Sequence, residues 1–175
     1  MENVALGIVK GMIYLHEKGI VMRDLKPQNI GFDEGGTVRL FDFGMARKLE
    51  DCDNNDICGS PRYMDPSLMA GKGYSLKSDV YSFGIILYEL CSLTIAYGKN
   101  KSYQSLKEFN RRLVEHNMTP KLNRISCPIT RRLIEDCWQT DTNKRPSFEE
   151  IYQRIKEIIK IDRRQQQPDL RRGSM

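Results

Sequence analysis

Between Met22 and Gly44 the chain gathers groups suited to handling a metal-bound phosphate. Met-Arg-Asp-Leu-Lys-Pro-Gln-Asn occupies 22–29, and Asp-Phe-Gly begins thirteen residues after Asn29. Moving a phosphoryl group depends on positioning and charge neutralisation, so a site for it needs oxygen ligands for magnesium, a base near the acceptor hydroxyl and a cation on the moving group. Asp24 is the candidate base, Asn29 and Asp42 the candidate magnesium ligands, and Lys26 the cation. A few carboxylate or amide oxygens alongside phosphate are what magnesium favours. Taken singly, these are a surface Asp, a turn Asn, a solvated Lys and an Asp at the start of a loop; order and spacing give them weight together.

The flanking segments must bring these groups into register. Asp-Glu-Gly-Gly at 33–36 reads as a tight turn between two short strands, Gly31-Phe32 and Thr37–Phe41, so that Asp42 returns alongside Asn29. Upstream, Ala5, Ile8, Met12 and Leu15 recur at helical spacing over residues 3–18, ended by Gly19. Gly7 and Gly11 weaken that helix but permit close packing. Val80–Leu93 is apolar nearly all round and predicts a central buried helix, with Ser78 or Asp79 available to cap it.

These residues resemble the catalytic loop and Asp-Phe-Gly motif of eukaryotic protein kinases, whose loop reads His-Arg-Asp, four residues, Asn. The helix ending Tyr-Leu-His-Glu-Lys-Gly and running into Ile20-Val21-Met22 is similar to the family's helix before the loop. Gly59–Ser67 resembles the end of its activation segment, and Asp79–Gly84 the start of its central helix. The resemblance implies that Asp79 bonds the backbone of the catalytic loop and that Ser60 supplies the hydroxyl that contacts the acceptor. Lys26, two residues after the base, is the serine/threonine-type pattern, and the Cys-Trp and Arg-Pro ending suits the tyrosine-kinase-like group. ATP with magnesium as cofactors and protein substrates as partners follow from the same resemblance.

Several positions depart from the family pattern. Met22 replaces the usual His, keeping an apolar body that can pack under Phe43. Gly31 stands where a larger side chain usually floors the adenine pocket. Ser67 replaces the Glu that in the family pairs with the later arginine, here Arg145, so either Asp65 substitutes as its partner or this corner is wetter than usual. Arg23 is the residue that receives an activation-loop phosphate in many kinases, yet no Ser, Thr or Tyr lies between Phe43 and Gly59. That interval holds Glu50, Asp51, Asp53 and Asp56: either it is a solvated acidic loop, or one of its carboxylates, Asp56 or Asp53, pairs permanently with Arg23 in place of the phosphate.

Composition bounds the rest. The 175 residues are 39% hydrophobic and 29% charged, an ordinary content for one domain with a core. Lys and Arg exceed Asp and Glu by 28 to 23, with much of the excess in the C-terminal segment, which gives little support to nucleic-acid binding. Five cysteines without a Cys-x-x-Cys pair suggest neither a disulfide framework nor a zinc site, and fit a reduced, cytoplasmic setting. No leader or bilayer-spanning run is visible, so no membrane association is expected. Core-facing helices are expected around Leu106–Val114, from Pro128, and after a Ser147–Glu150 capping box, with a polar insertion at Tyr97–Tyr103.

The Gly-rich loop, strand lysine, partner Glu and hinge of the family pattern are not in this sequence. The expected fold is therefore mainly α: a protein-kinase-like C-terminal lobe with short β-hairpins around the catalytic loop, the N-terminal lobe absent. Residues 1–160 form that partial domain and 161–175 a basic, disordered tail. Such a piece implies half an ATP pocket, inactivity alone and an apolar surface open to the missing lobe or to a partner protein. The alternative is a non-catalytic, pseudokinase-like binding or scaffold module.

Overall fold

The computed structural model describes residues 2–53, 55–98 and 105–166. Six α-helices and two small strand pairs make up these residues, in keeping with the expected mainly α lobe. The order is α1 (Glu2–Glu17), β1 (Ile20–Val21), β2 (Ile30–Phe32), β3 (Val38–Leu40), β4 (Arg47–Lys48), α2 (Pro66–Met69), α3 (Leu76–Ser92), α4 (Leu106–Glu115), α5 (Pro128–Cys137) and α6 (Phe148–Gln166).

α3 is the axis of the core. Every residue from Ser78 to Tyr88 is buried, as an all-round apolar stretch requires, and α1, α5 and β1 pack on it. Its cap lies earlier than the sequence suggests. Ser75 is the N-cap and its backbone N–H donates to Ser78 Oγ at 3.2 Å, which leaves Asp79 free for another role. α1 buries Ala5, Ile8, Val9, Met12 and Leu15 and packs against both α6 and β3.

The antiparallel hairpin β2–β3 lies on α1, with Ile30 opposite Leu40 and Phe32 opposite Val38. The α1 glycines permit this contact: a Cβ on Gly7 would stand 2.5 Å from Val38 Cβ, and one on Gly11 2.8 Å from Leu40 Cδ1. Asp33 closes the turn by accepting from the N–H groups of Gly35 (3.1 Å) and Thr37 (2.8 Å). The second pair, β1 with β4, is not a hairpin but joins the end of α1 to the segment after Asp-Phe-Gly.

α4 buries Phe109 and Leu113 but leaves Leu106, expected inward, 59% exposed. The expected capping box holds: Ser147 N–H donates to Glu150 and Glu150 N–H to Ser147 Oγ. α6 continues to Gln166, six residues into the segment expected to be a disordered tail. Its Ile151, Ile155 and Ile159 anchor the helix in the core, and four further residues with strong helix propensity extend it. The remainder of that tail, and most of the polar insertion after Gly98, lie outside the described residues.

Candidate active site

The loop between β1 and β2 is anchored from below. Asp79, 1% exposed on the first turn of α3, accepts from the backbone N–H of Met22 (2.9 Å) and of Arg23 (3.1 Å). His16 Nε2 lies 3.0 Å from the same carboxylate, and its ring meets Phe148 edge-on at 4.9 Å. Asp79 therefore ties α1, α3 and the loop together; it does not cap its helix. Met22 is fully buried in the core, whereas Phe43, expected over it, keeps 48% of its surface exposed, so any cover between them is partial.

Asp24 is the hub above this anchor. Its Oδ1 accepts from Ser60 N–H at 2.9 Å, and its Oδ2 accepts from Lys26 Nζ at 2.5 Å. Lys26 Nζ also donates to Ser60 Oγ at 3.1 Å. Asn29 Nδ2 donates to the Asp24 carbonyl (2.9 Å) and to Oδ2 (3.3 Å), which leaves the amide oxygen as the atom a cation could use. Asp24 and Asn29 are buried, and the rim above them is open.

The hairpin brings Asp42 back as expected, with Phe41 N–H donating to Asn29 O at 2.8 Å. Asp42 is exposed and left-handed (φ 55°), a conformation its short side chain supports by accepting from Gly44 N–H at 3.4 Å. At Gly31 the space is taken: a Cβ there would lie 2.6 Å from Phe41 Cε2. The half-exposed Phe41 ring fills the position that a larger residue 31 would need.

The acidic loop resolves the choice between two carboxylates. Arg23 NH1 pairs with Asp56 Oδ2 at 2.9 Å, while Asp53 instead accepts from Asn55 N–H at 2.8 Å and shapes the turn that presents Asp56. Asp53 is thus not the partner expected for Arg23, because its carboxylate is used locally. Burial alone would lower the Arg23 pKa, but the Asp56 hydrogen bond and the neighbouring Cys58, Tyr74 and Asp56 charges outweigh it and raise it. Tyr74, which sequence reading missed, stacks on Arg23 at 5.2 Å. No local spacing marks that contact, and the same is true of His16 on Asp79.

Arg145 finds its carboxylate in Asp65, through NH1–Oδ2 at 2.5 Å and NH2–Oδ1 at 3.0 Å, with both side chains almost fully buried. The guanidinium also donates to the carbonyls of Gln139 and Lys77 and faces the Tyr81 ring at 5.3 Å.

Among the described residues no cluster of three or more His, Cys, Asp or Glu side chains could hold a metal. Asn29 and Asp42 are a different set, one amide and one carboxylate. Hard oxygens of that number suit magnesium, which completes its shell with phosphate and water.

This lobe and loop define a protein kinase site, and the chain belongs to that family: the pattern described as "Protein kinase domain" matches residues 1–155. It is 35% identical over 159 residues to "Serine/threonine-protein kinase STY46" of Arabidopsis thaliana, covering 90% of this chain and 27% of that protein. It is 37% identical over 161 residues to "Probable serine/threonine-protein kinase kinX" of Dictyostelium discoideum, covering 89% of this chain and 14% of that protein. "Serine/threonine-protein kinase VIK" of Arabidopsis thaliana is 34% identical over 167 residues, with 37% of its length covered. The chain thus spans about a third or less of the length of relatives such as these, whose names suit the tyrosine-kinase-like group.

Proposed function

We propose that the protein carrying this chain transfers the γ-phosphoryl group of ATP to Ser or Thr hydroxyls of protein substrates. The observation that carries the reading is Lys26 Nζ bridging Asp24 Oδ2 and Ser60 Oγ, which unites base, cation and acceptor-side hydroxyl in one bonded unit. Asp24 accepts the acceptor's proton, its carboxylate held in orientation by Ser60 N–H. Lys26 neutralises charge on the moving group, and Ser60 steers the incoming hydroxyl. Asn29 and Asp42 would hold magnesium. Magnesium–ATP supplies the phosphoryl group and neutralises its charge when bound.

Phe41 and Gly31 together floor the adenine side, Asp79 fixes the loop, and the Asp65–Arg145 pair holds the end of the activation segment. The serine/threonine preference rests on Lys26 and on the printed names of the relatives. Free cysteines at 52, 58, 91, 127 and 137 support a reducing, cytoplasmic setting. No helix among the described residues is long and apolar enough to cross a membrane.

The test is magnesium-dependent transfer of labelled phosphate from ATP to degenerate Ser/Thr and Tyr peptide pools. Label on Ser/Thr peptides is expected. Label confined to Tyr peptides overturns the acceptor class, and no transfer overturns the reading.

A further inference from the structure

Arg23 sits at the centre of a small clasp. Its backbone is left-handed (φ 66°), so the side chain leaves the loop toward the activation segment, where only 3% of it remains exposed. There Nε donates to Met45 O at 2.6 Å and NH1 to Asp56 Oδ2 at 2.9 Å, while the Tyr74 ring lies against the guanidinium. The three contacts come from three parts of the chain: the residues after Asp-Phe-Gly, the acidic loop and the approach to α3.

Tyr74 does more than stack. Its hydroxyl accepts from Cys58 N–H at 2.9 Å and stands 3.3 Å from Asp56 O and 3.2 Å from Cys58 O, either of which can take its proton. Burial, with Cys58 beside it, pushes the Tyr74 pKa up to about 12, so the hydroxyl remains a donor at neutral pH. The next residue, Gly59, has φ 116°, and a Cβ there would come 2.5 Å from Arg23 O, so the segment runs directly against the loop. One residue later Ser60 N–H reaches Asp24 Oδ1. Three residues, Ile57 to Gly59, therefore connect Asp56, held by Arg23, to Ser60, held by Asp24.

We propose that Asp56 and Tyr74 are positioning residues that hold the Cys58–Ser60 backbone, and through it the Asp24 carboxylate, in the working geometry with no phosphate on residues 44–58. That stretch has no Ser, Thr or Tyr to modify, so the carboxylate partner of Arg23 is permanent. The inference rests on the kinase reading and adds its regulation: the loop is ordered as made. Asp56 is 60% exposed but the Arg23 side chain only 3%, so losing the carboxylate leaves the guanidinium with the carbonyls of Met45 and Asp56 as its remaining acceptors and loosens the segment they belong to.

The test uses the chain in its full-length protein, with phosphatase-treated wild type, Asp56→Asn, Asp56→Glu, Tyr74→Phe and Tyr74→Leu compared by peptide phosphorylation and amide hydrogen exchange. Wild type is expected to keep its rate after phosphatase. Asp56→Asn and Tyr74→Leu should lower kcat about tenfold with KM for ATP unchanged, and should lose protection at the amides of Cys58 and Ser60. Asp56→Glu should recover most of the rate, and Tyr74→Phe should keep the stacking but lose the Cys58 protection. Undiminished kcat in Asp56→Asn, or unchanged exchange at Cys58 and Ser60, overturns the clasp. An inactive wild type overturns the kinase reading instead, and the exchange comparison alone then decides for or against the clasp.

Discussion

Asp65 and Arg145, eighty positions apart, form a bidentate ion pair that is almost wholly removed from solvent. Asp65 also caps α2 by accepting from Ser67 N–H at 2.9 Å, so one carboxylate closes a helix end and neutralises a buried guanidinium. Two residues later, where the family resemblance leads one to expect the carboxylate, stands Ser67, and Asp65 supplies the partner of Arg145.

Asp65→Ala should destabilise the domain by roughly 3 to 5 kcal/mol, because Arg145 cannot shed its charge and would remain buried and unpaired. Adding Ser67→Glu should recover part of that loss by returning a carboxylate to the neighbouring position. Urea unfolding of the two variants measures both effects; an Asp65→Ala variant as stable as wild type would deny the pair any structural role.

The two α1 glycines should respond differently to alanine. At Gly7 the new Cβ meets Val38 Cβ, which cannot swing aside, so overpacking of about 1 to 3 kcal/mol outweighs the gain of about 1 kcal/mol in helix propensity. At Gly11 it meets Leu40 Cδ1 at 2.8 Å and Cγ at 3.2 Å, atoms beyond Cβ that can move by rotation, so Gly11→Ala should cost less than Gly7→Ala. Thermal unfolding of both variants checks this, and equal effects would contradict the close approach of β3 to α1.

The thiols should separate by pH. Burial acts to raise the Cys127 pKa, but the Thr130 hydroxyl and the N–H groups of Thr130 and Ile129 at the start of α5 outweigh it and lower it. Burial pushes Cys91 up to about 11 and Cys137 up to about 12, and it also raises Cys52. As pH rises from 6 to 9, Cys127 should ionise, and be alkylated by iodoacetamide, before Cys52, Cys91 and Cys137. Peptide mass spectrometry along the pH series reads the order, and Cys137 reacting before Cys127 would refute it.

How far the sequence discloses this molecule follows from distance along the chain. Asp24, Lys26, Asn29 and the hairpin returning Asp42 lie within about twenty residues, so spacing and turn chemistry locate them. The α6 capping box and the buried face of α3 are equally local. The bond of Asp79 to the loop backbone is legible only through the family resemblance, whereas the contacts of His16 with Asp79 and of Tyr74 with Arg23 join distant segments that neither periodicity nor the resemblance marks. The choice of Asp56 over Asp53 turned on a loop whose internal hydrogen bonds occupy one carboxylate and leave the other free. At Gly31 the missing side chain leaves room for the ring of Phe41, ten residues on, which no local spacing marks.

Nucleotide binding by the 175-residue chain by itself should be weak. Asp42, Phe41 and Phe43 all face solvent, so a bound phosphate would remain hydrated and its contacts screened. Calorimetric titration with magnesium and ATP is expected to give a Kd no tighter than about 1 mM, roughly 4 kcal/mol. Micromolar binding would show that this face closes over ATP unaided.

The most direct measurement for the central reading is phosphoryl transfer by the full-length protein with Asp24→Asn. The amide keeps the size of the carboxylate and can still accept from Ser60, but it cannot take a proton. The expected result is magnesium-dependent Ser/Thr phosphorylation in wild type and a fall in kcat of about 10²- to 10⁴-fold in the variant, with ATP affinity retained. Equal rates in the two proteins would contradict Asp24 as the base and, with it, the assignment of this loop as a phosphotransfer centre.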